Sequence, residues 1–486
     1  MSTQAQLSRT EHFLQLFTEV KPGEGSTAIL MFANVFLILC AYYFIKPLRE
    51  GWIAVSDIEG LSKMEVKAYS SFFQAIFLLL IVGWYGRLSD KWSRSTLVTR
   101  TTLFCISNMI IFWFLQPGLF FGSLPVSGII FYLWVGMFGV FVVAQFWTFC
   151  ADVYNDEIGK RLLPLIAIGA TSGAASGSQI VDWLVGSGLV PTEALLLAGI
   201  LPLLASIVLT RIVDTRQCEA QAREDVSSDR TVAIEKLEDV SAKAEHETDN
   251  VKPGGLSFLL NGAKLIFMSR FLFAIAVVTL MNNWVNTNGE NLMFQVVQEN
   301  LAEQAAQQGI IATQAVLEFT RDGTTAFYGN FFFWVNVIAL LLQSLVASRL
   351  LKFGGFAAII LILPVIAMVS YTVMALVPIL LIVKIMKIAE NSTDYSINNT
   401  ARHVLWLPAD SATKYHGKPA IDTLYVRIGD GLAALTVLIG VQLLALSTMQ
   451  FFVFNVFLVF IWLIFALMLI KERSKLVQEK QTNVNS

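Results

Sequence analysis

Apolar runs of about 20 residues recur along this 486-residue chain, and that recurrence limits what it can fold into. Such a run, coiled at about 1.5 Å per residue, matches the hydrocarbon thickness of a bilayer. In lipid, every backbone N–H and C=O needs a partner within its own segment, so repeated runs fold as helices and not as open sheets. Charged residues make up 14% of the chain and hydrophobic ones 55%. Soluble domains carry roughly 25% charged residues. The reading is an all-α polytopic membrane protein.

About twelve spans can be marked, which is the arrangement of two six-helix halves. The first half gives 27–45, 70–88, 101–121, 128–151, 163–186 and 193–213. The second gives 270–288, 326–351, 353–374, 375–390, 422–446 and 449–470. Only Pro378 punctuates the run around Met374 and Ala375. Between the halves, residues 214–255 are rich in Asp, Glu, Lys, Arg and Ser and read as a solvated linker. The expected organisation is an N-terminal segment (1–26), a first half (27–213), the linker (214–255), a second half (256–470) and a tail (471–486). Two halves around a long central loop form a major-facilitator-like architecture.

Lys and Arg collect on the cytoplasmic side of such proteins. With both termini cytoplasmic, the inner segments hold Arg87, Lys91, Arg94, Arg100, Lys160, Arg161, Arg349, Lys352, Arg402, Lys414, Lys418 and the tail from Lys471. The connections after spans three, five, nine and eleven hold neither Lys nor Arg. Arg321 is one exception, within a stretch from Glu290 to Asp322 expected to form an outer helical hairpin. Lys63 and Lys67 in the first outer loop are the other. The N-terminal stretch carries Glu11, Glu19 and Glu24 and has neither signal-peptide nor transit-peptide character, which points to a bacterial inner membrane.

Catalytic chemistry has little to stand on. Cys40, Cys105, Cys150 and Cys218 are scattered, so neither a disulfide framework nor a metal site is expected. The small-residue run from Gly169 through Gly173 to Gly177 lacks a Walker lysine; this spacing is expected to serve close helix packing, with backbone approach to a ligand as the alternative. No cofactor is expected, and a net charge of −2 gives no reason to expect a nucleic-acid partner. A membrane-embedded enzyme using His403, His416 or Asp410 is the distant alternative, with a lipid translocator beside it.

Charges inside spans are the useful signal, because an ionised group in a bilayer costs at least about 2.5 kcal/mol and so faces a cavity or a partner. Lys46 and Arg49 close the first span, three residues apart and so on one helix face; snorkelling of both to the headgroups is the other reading. Lys384, Lys387, Glu390 and Asp394 form one polar stripe on the tenth span, lining a water-filled path or neutralising one another as a ladder. Glu290 follows the amide run Asn282, Asn283, Asn286 and Asn288, which either hydrogen-bonds a ribose or base or satisfies neighbouring helices. Tyr395 to Asp422 reads as a long polar cytoplasmic loop carrying Arg402 and Lys418. Arg87, Asp90 and Arg94, between spans two and three, stand where facilitators keep a gating motif; simple charge anchoring is the other reading.

Several segments together resemble the nucleotide translocase family, the ATP/ADP antiporters of plastids and intracellular bacteria. The resemblance is carried by Tyr395-Ser396, Thr400, Arg402, Pro408, Asp410, Lys414 and the run Gly417 to Asp422. Phe146-Trp147, Lys160-Arg161 and Pro164-Leu165 add to it, as does Lys46 to Glu50, which places Arg49 where the family has a transport-linked lysine. Pro47, Arg49, Asp394 and Asn399 depart from the residues usual at those places. The resemblance implies exchange of a small phosphorylated anion such as ATP or ADP, with Lys46, Arg49, Lys384, Lys387, Arg402 and Lys418 attracting it. Glu290, Glu390 and Asp394 would then be counter-charges or coupling groups. A proton-coupled or exchange carrier of another organic anion is the alternative on the same scaffold.

Overall fold

The computed structural model describes residues 9–15, 18–89, 94–116, 125–154, 156–235, 266, 269–409 and 417–485. Among them the chain is helical, without a strand. In the first half the long helices are α1 (Gly25–Ala54), α2 (Lys63–Ser89), α3 (Arg94–Phe114), α4 (125–153), α5 (Asp156–Gly186) and α6 (Ile200–Glu235). In the second half they are α7 (Arg270–Gln307), α8 (Thr313–Leu341), α9 (Ser348–Leu376), α10 (380–405), α11 (described over 417–443) and α12 (Thr448–Asn485). Eight segments among the described residues are long and apolar enough to cross a membrane. One of these, Thr313–Leu376, is interrupted at Gly355 within α9 by a kink, where a φ of 64° suits a residue without Cβ.

Helix ends differ from the expectations at charged places. The first helix does not stop at Ile45 but runs through Pro47 to Ala54, so Lys46 and Arg49 lie inside it. Proline inside a membrane-spanning helix is tolerated in general, since neighbouring helices, side chains or waters can re-satisfy the freed backbone groups. The Glu290–Asp322 stretch does form a helical hairpin, but as the continuation of two spans: α7 runs unbroken to Gln307, α8 begins at Thr313, and Gln298 donates to Thr324 between the arms, which keeps Glu290 within a long helix. The stretch from Tyr395 is helical up to Leu405, so the polar loop is shorter than its composition implied. Pro378 does mark the break, between Leu376 and Leu380. Residues 214–235, expected in the linker, continue α6.

Small residues set the closest approach. On α5, Gly169, Gly173 and Gly177 lie directly on the α1 carbonyls of Phe32, Phe36 and Cys40, where a Cβ would collide with backbone. Van der Waals contact at this range is the main attraction available between helices in lipid. One apolar core joins Met31, Ile38, Ile45, Trp52, Phe131, Phe138 and Phe146 of the first half. A second draws Tyr43, Ala54, Ala68 and Tyr132 together with Phe294, Phe331, Tyr371 and Phe452, so it belongs to both halves.

Candidate functional site

Because α1 stays helical past Pro47, Lys46, Arg49 and Glu50 reach the interface between the halves. Arg49 donates to Glu50 Oε1 through Nη2 (2.6 Å) and Nε (3.1 Å). Lys67 Nζ of α2 lies 2.9 Å from the other oxygen, Oε2. All three are buried, at 9%, 2% and 3% exposure, so one carboxylate faces two desolvated cations. Rings supply part of the missing compensation: Tyr132 lies 4.3 Å from the Arg49 guanidinium and Phe294 4.6 Å from Lys67 Nζ. Lys67 also donates across the interface to the Glu290 carbonyl (3.4 Å) and the Tyr328 hydroxyl (3.3 Å).

Lys46 lies over the Phe332 ring at 4.0 Å, with Tyr43 at 5.0 Å and Tyr395 at 5.9 Å. It is partly exposed and has no ion-pair partner among the described residues. Tyr395 reaches it from a π-helical turn, Asp394–Asn398, of α10. Such widened turns re-aim side chains and are frequent at functional sites.

The α10 stripe is divided. Lys387 and Glu390 are buried and 2.9 Å apart, and Lys387 also donates to Asn286 Oδ1 at 2.9 Å. The Tyr371 hydroxyl sits 3.1 Å from Glu390 Oε1. This part of the stripe is therefore an internally neutralised pair. Lys384, with no acid in ion-pair range among the described residues, donates to Asn330 Oδ1 at 2.6 Å, and Asn330 Nδ2 donates to Asp182 Oδ2 of α5 at 2.7 Å. Asn398 donates to Asp394 Oδ1 (2.6 Å) and Asn391 to Glu290 Oε1 (3.3 Å). The amide run on α7 thus serves partly as wiring between helices: Asn283 and Thr287 hold Asp430 of α11, which also pairs with Arg427.

The halves close on one side. Arg321 of α8 pairs with Glu193 of the first half and with its neighbour Asp322, and Thr192 donates to Asp322. Gln442 of α11 donates to Glu65 of α2 at 2.7 Å. Among the described residues, hydrogen bonds and ion pairs between the halves run from this face only as far as Tyr43 and Asn336, near the middle of α1.

Of the expected site residues, Lys46, Arg49, Lys384, Lys387, Glu290, Glu390 and Asp394 are brought around α1, α7, α8 and α10. Arg402 and Lys418 are elsewhere, within electrostatic reach of Asp422 together with His403. Arg87 and Arg94 fall on the helices flanking residues 90–93, and Asp90 lies outside the described residues, as do Asp410 and His416. Glu50 and Lys67 were missed. Lys67 reads as a loop cation from the sequence, but it is a buried partner of Glu50, which accounts for its place among the connections otherwise poor in Lys and Arg.

Comparison with known proteins agrees with this architecture. The sequence profile described as TLC ATP/ADP transporter matches residues 126–473. The ADP,ATP carrier protein 1 of Chlamydia pneumoniae is 28% identical over 163 residues, 29% of this chain and 32% of that protein, so the match spans about a third of the relative's length. An auto-inhibited peptide transporter of the POT family superposes with a TM-score of 0.58 at 10% identity, over 92% of this chain and 97% of the other. A point mutant of the nucleoside transporter NupG gives 0.54 at 10% identity, over 91% and 99%. At such identities these two show the fold alone, which is that of major-facilitator-like transporters. A profile match over well more than half of the sequence, on a multi-pass helical scaffold with buried charges between two halves, makes this chain a membrane transporter that belongs to the TLC ATP/ADP transporter family.

Proposed function

We propose that the protein exchanges anionic, phosphorylated nucleotides of the ATP/ADP class across a bacterial inner membrane, by alternating access and with both termini cytoplasmic. The observation that carries this reading is the unbalanced cation group at the interface: Arg49 and Lys67 share one carboxylate, and Lys46 beside them has no acid partner among the described residues. Buried cations retain that arrangement at a cost unless an anion completes it. Arg49 offers a forked donor suited to phosphate. Tyr43, Phe332 and Tyr395 around Lys46 add aromatic faces on which a base can stack, an interaction of about 1–3 kcal/mol per base.

In this reading Lys46, Arg49 and Lys384 hold the solute, Lys387 is held ready by Glu390, and Arg402 and Lys418 form the cytoplasmic approach. Glu290, Glu390 and Asp394 are counter-charges that change partners between states, and Arg87, Asp90 and Arg94 gate the first half. The one-sided closure of the halves, which leaves α1 before Tyr43 free of polar contacts to the second half among the described residues, is the arrangement that alternating access requires at one end of its cycle.

The test is uptake of labelled ATP or ADP into proteoliposomes preloaded with unlabelled nucleotide. Uptake should depend on the internal nucleotide, and Lys46→Gln should raise KM about tenfold, the loss of one charge-assisted contact. No exchange with any nucleotide, alongside uptake of another anion driven by a pH gradient, would sink the reading.

A further inference from the structure

We propose that Glu50 is a resident counter-anion, a built-in stand-in for part of the solute's charge, and that Lys67 is the seam cation whose uncompensated charge couples closure to the arrival of the solute. The identity of the arriving anion rests on the nucleotide reading above; the charge argument does not.

Each Glu50 oxygen is taken by a different cation: Arg49 on Oε1 and Lys67 on Oε2. Among the described residues no other acid lies within ion-pair distance of either cation, and the remaining partners of Lys67 are neutral: the Glu290 carbonyl, the Tyr328 hydroxyl and the Phe294 and Tyr328 rings. The triad therefore carries one positive charge in excess, inside a region with almost no solvent access. Nearby, Glu290 lies within electrostatic reach of Lys46 without forming an ion pair with it, and it pairs with neither Arg49 nor Lys67, so the excess of the triad stands.

This excess sits at the seam. Lys67 comes from the first half, while Glu290 and Tyr328 belong to the second, so separating the halves strips Lys67 of both neutral partners and admits water. Closing the empty carrier then means desolvating an uncompensated cation, which is costly. With no carboxylate at all the cost would rise further; with a second one it would vanish, and the empty carrier would close freely. A phosphate held at Lys46, three residues before Arg49 on the same helix face, adds the missing negative charge. Closure is thereby coupled to occupancy, which is what an exchanger needs to avoid returning empty. The recognised class is a polyanion carrying phosphoryl groups.

The experiment reads seam opening directly. In the Cys218→Ser protein, Ala326→Cys places a thiol beside Gly186 across the seam, and the other native cysteines are buried. Maleimide labelling is followed in detergent, with and without ATP, ADP or pyrophosphate. Glu50→Gln should label about tenfold faster than the parent without ligand, and a polyphosphate should slow it. Glu50→Asp should label at the parent rate. The double variant Glu50→Gln/Lys67→Gln, with its charge rebalanced, should return towards the parent, and Lys67→Gln alone should lose the ligand dependence. Parent-rate labelling of Glu50→Gln overturns the proposal, and so does a double variant as fast as Glu50→Gln, because lost packing and not charge would then be responsible. If Glu50→Gln does not fold, persistence of ligand protection in Lys67→Gln overturns it equally. Protection by pyrophosphate but by neither nucleotide removes the nucleotide reading and supports the counter-anion; protection by none of them overturns the counter-anion.

Discussion

Lys387 and Glu390 face each other at 2.9 Å, three residues apart on one helix, with both side chains closed off from solvent. Tyr371 and Asn286 take up further hydrogen-bonding capacity of the pair. Such a pair contributes little over an apolar replacement of the same shape, but removing one partner leaves a buried charge alone. Lys387→Met should therefore lower stability by about 3–5 kcal/mol, while Lys387→Met/Glu390→Gln should recover most of the loss. Thermal unfolding of the detergent-solubilised protein, followed by intrinsic tryptophan fluorescence, measures both. A double variant no more stable than the single one would show that the pair does more than neutralise itself.

The α1–α5 contact makes a simpler prediction. At Gly173 a Cβ has no space because the Phe36 carbonyl occupies its position. Gly173→Val should force the helices apart and cost about 1–3 kcal/mol, the usual range for overpacking. Gly159, where a Cβ would meet only the Leu163 side chain and the Tyr154 Cβ at ordinary contact distances, should accept alanine with a change near zero. Unfolding midpoints of the two variants, measured side by side, separate close packing from a general effect of losing glycine.

The helical membrane fold was legible because lipid turns hydrophobic length into a direct signal: a run either spans or it does not. Charges near run ends were harder to place. Lys-Pro-Leu-Arg-Glu looks like a terminus because it is polar and contains Pro47, yet Gly51-Trp52-Ile53-Ala54 continues the apolar pattern and the helix with it. Glu50 and Lys67 were missed for that reason: they lie 17 positions apart on separate helices, and only tertiary packing shows that they share a salt bridge. Conversely, the stripe of Lys384, Lys387, Glu390 and Asp394 was visible from spacing alone, whereas which of its members pair and which stay open depends on Asn286, Asn330 and Tyr371 on other helices. Arg427 and Asp430 went unnoticed among the apolar residues of α11, although their three-residue spacing was available.

Near the N-terminus, Arg161 of α5 forks onto Glu24, at 2.9 and 2.8 Å, and Lys21 pairs with Glu157 at 2.7 Å. Burial pushes the Glu24 carboxyl up, but the hydrogen bonds and charges of Arg161 and Lys21 outweigh it and hold the group below the usual carboxylate range. The Lys21 hydrogen bond lowers Glu157 in the same direction. A carboxylate depressed in the folded state adds stability above its unfolded pKa and loses it as pH falls through the folded one. The segment from Thr18 to Glu24 should therefore loosen from α5 between about pH 5 and 3. Hydrogen exchange over this segment, corrected for intrinsic rates, should show the step, and Arg161→Gln should flatten it. An unchanged step in that variant would assign the acid transition to other groups.

The seam offers a test of the transport cycle itself. A Cβ placed on Gly186 would lie 3.9 Å from the Cβ of Ala326, on the opposite half. Disulfides need a Cβ separation of about 3.5–4.5 Å, so Gly186→Cys/Ala326→Cys in the Cys218→Ser background should cross-link on mild oxidation without moving the backbone. The bond would join α5 and α8 on the side where Arg321 already meets Glu193. If transport requires this face to open, the oxidised protein should bind solute from the other side yet complete no exchange, and a reducing agent should restore the rate. Each single-cysteine variant should be indifferent to oxidant. The decisive measurement is nucleotide exchange in proteoliposomes before and after reduction, with the fraction cross-linked read from a gel. Full exchange by fully cross-linked protein would mean that the halves need not part at this seam, and the alternating-access reading would fall with it.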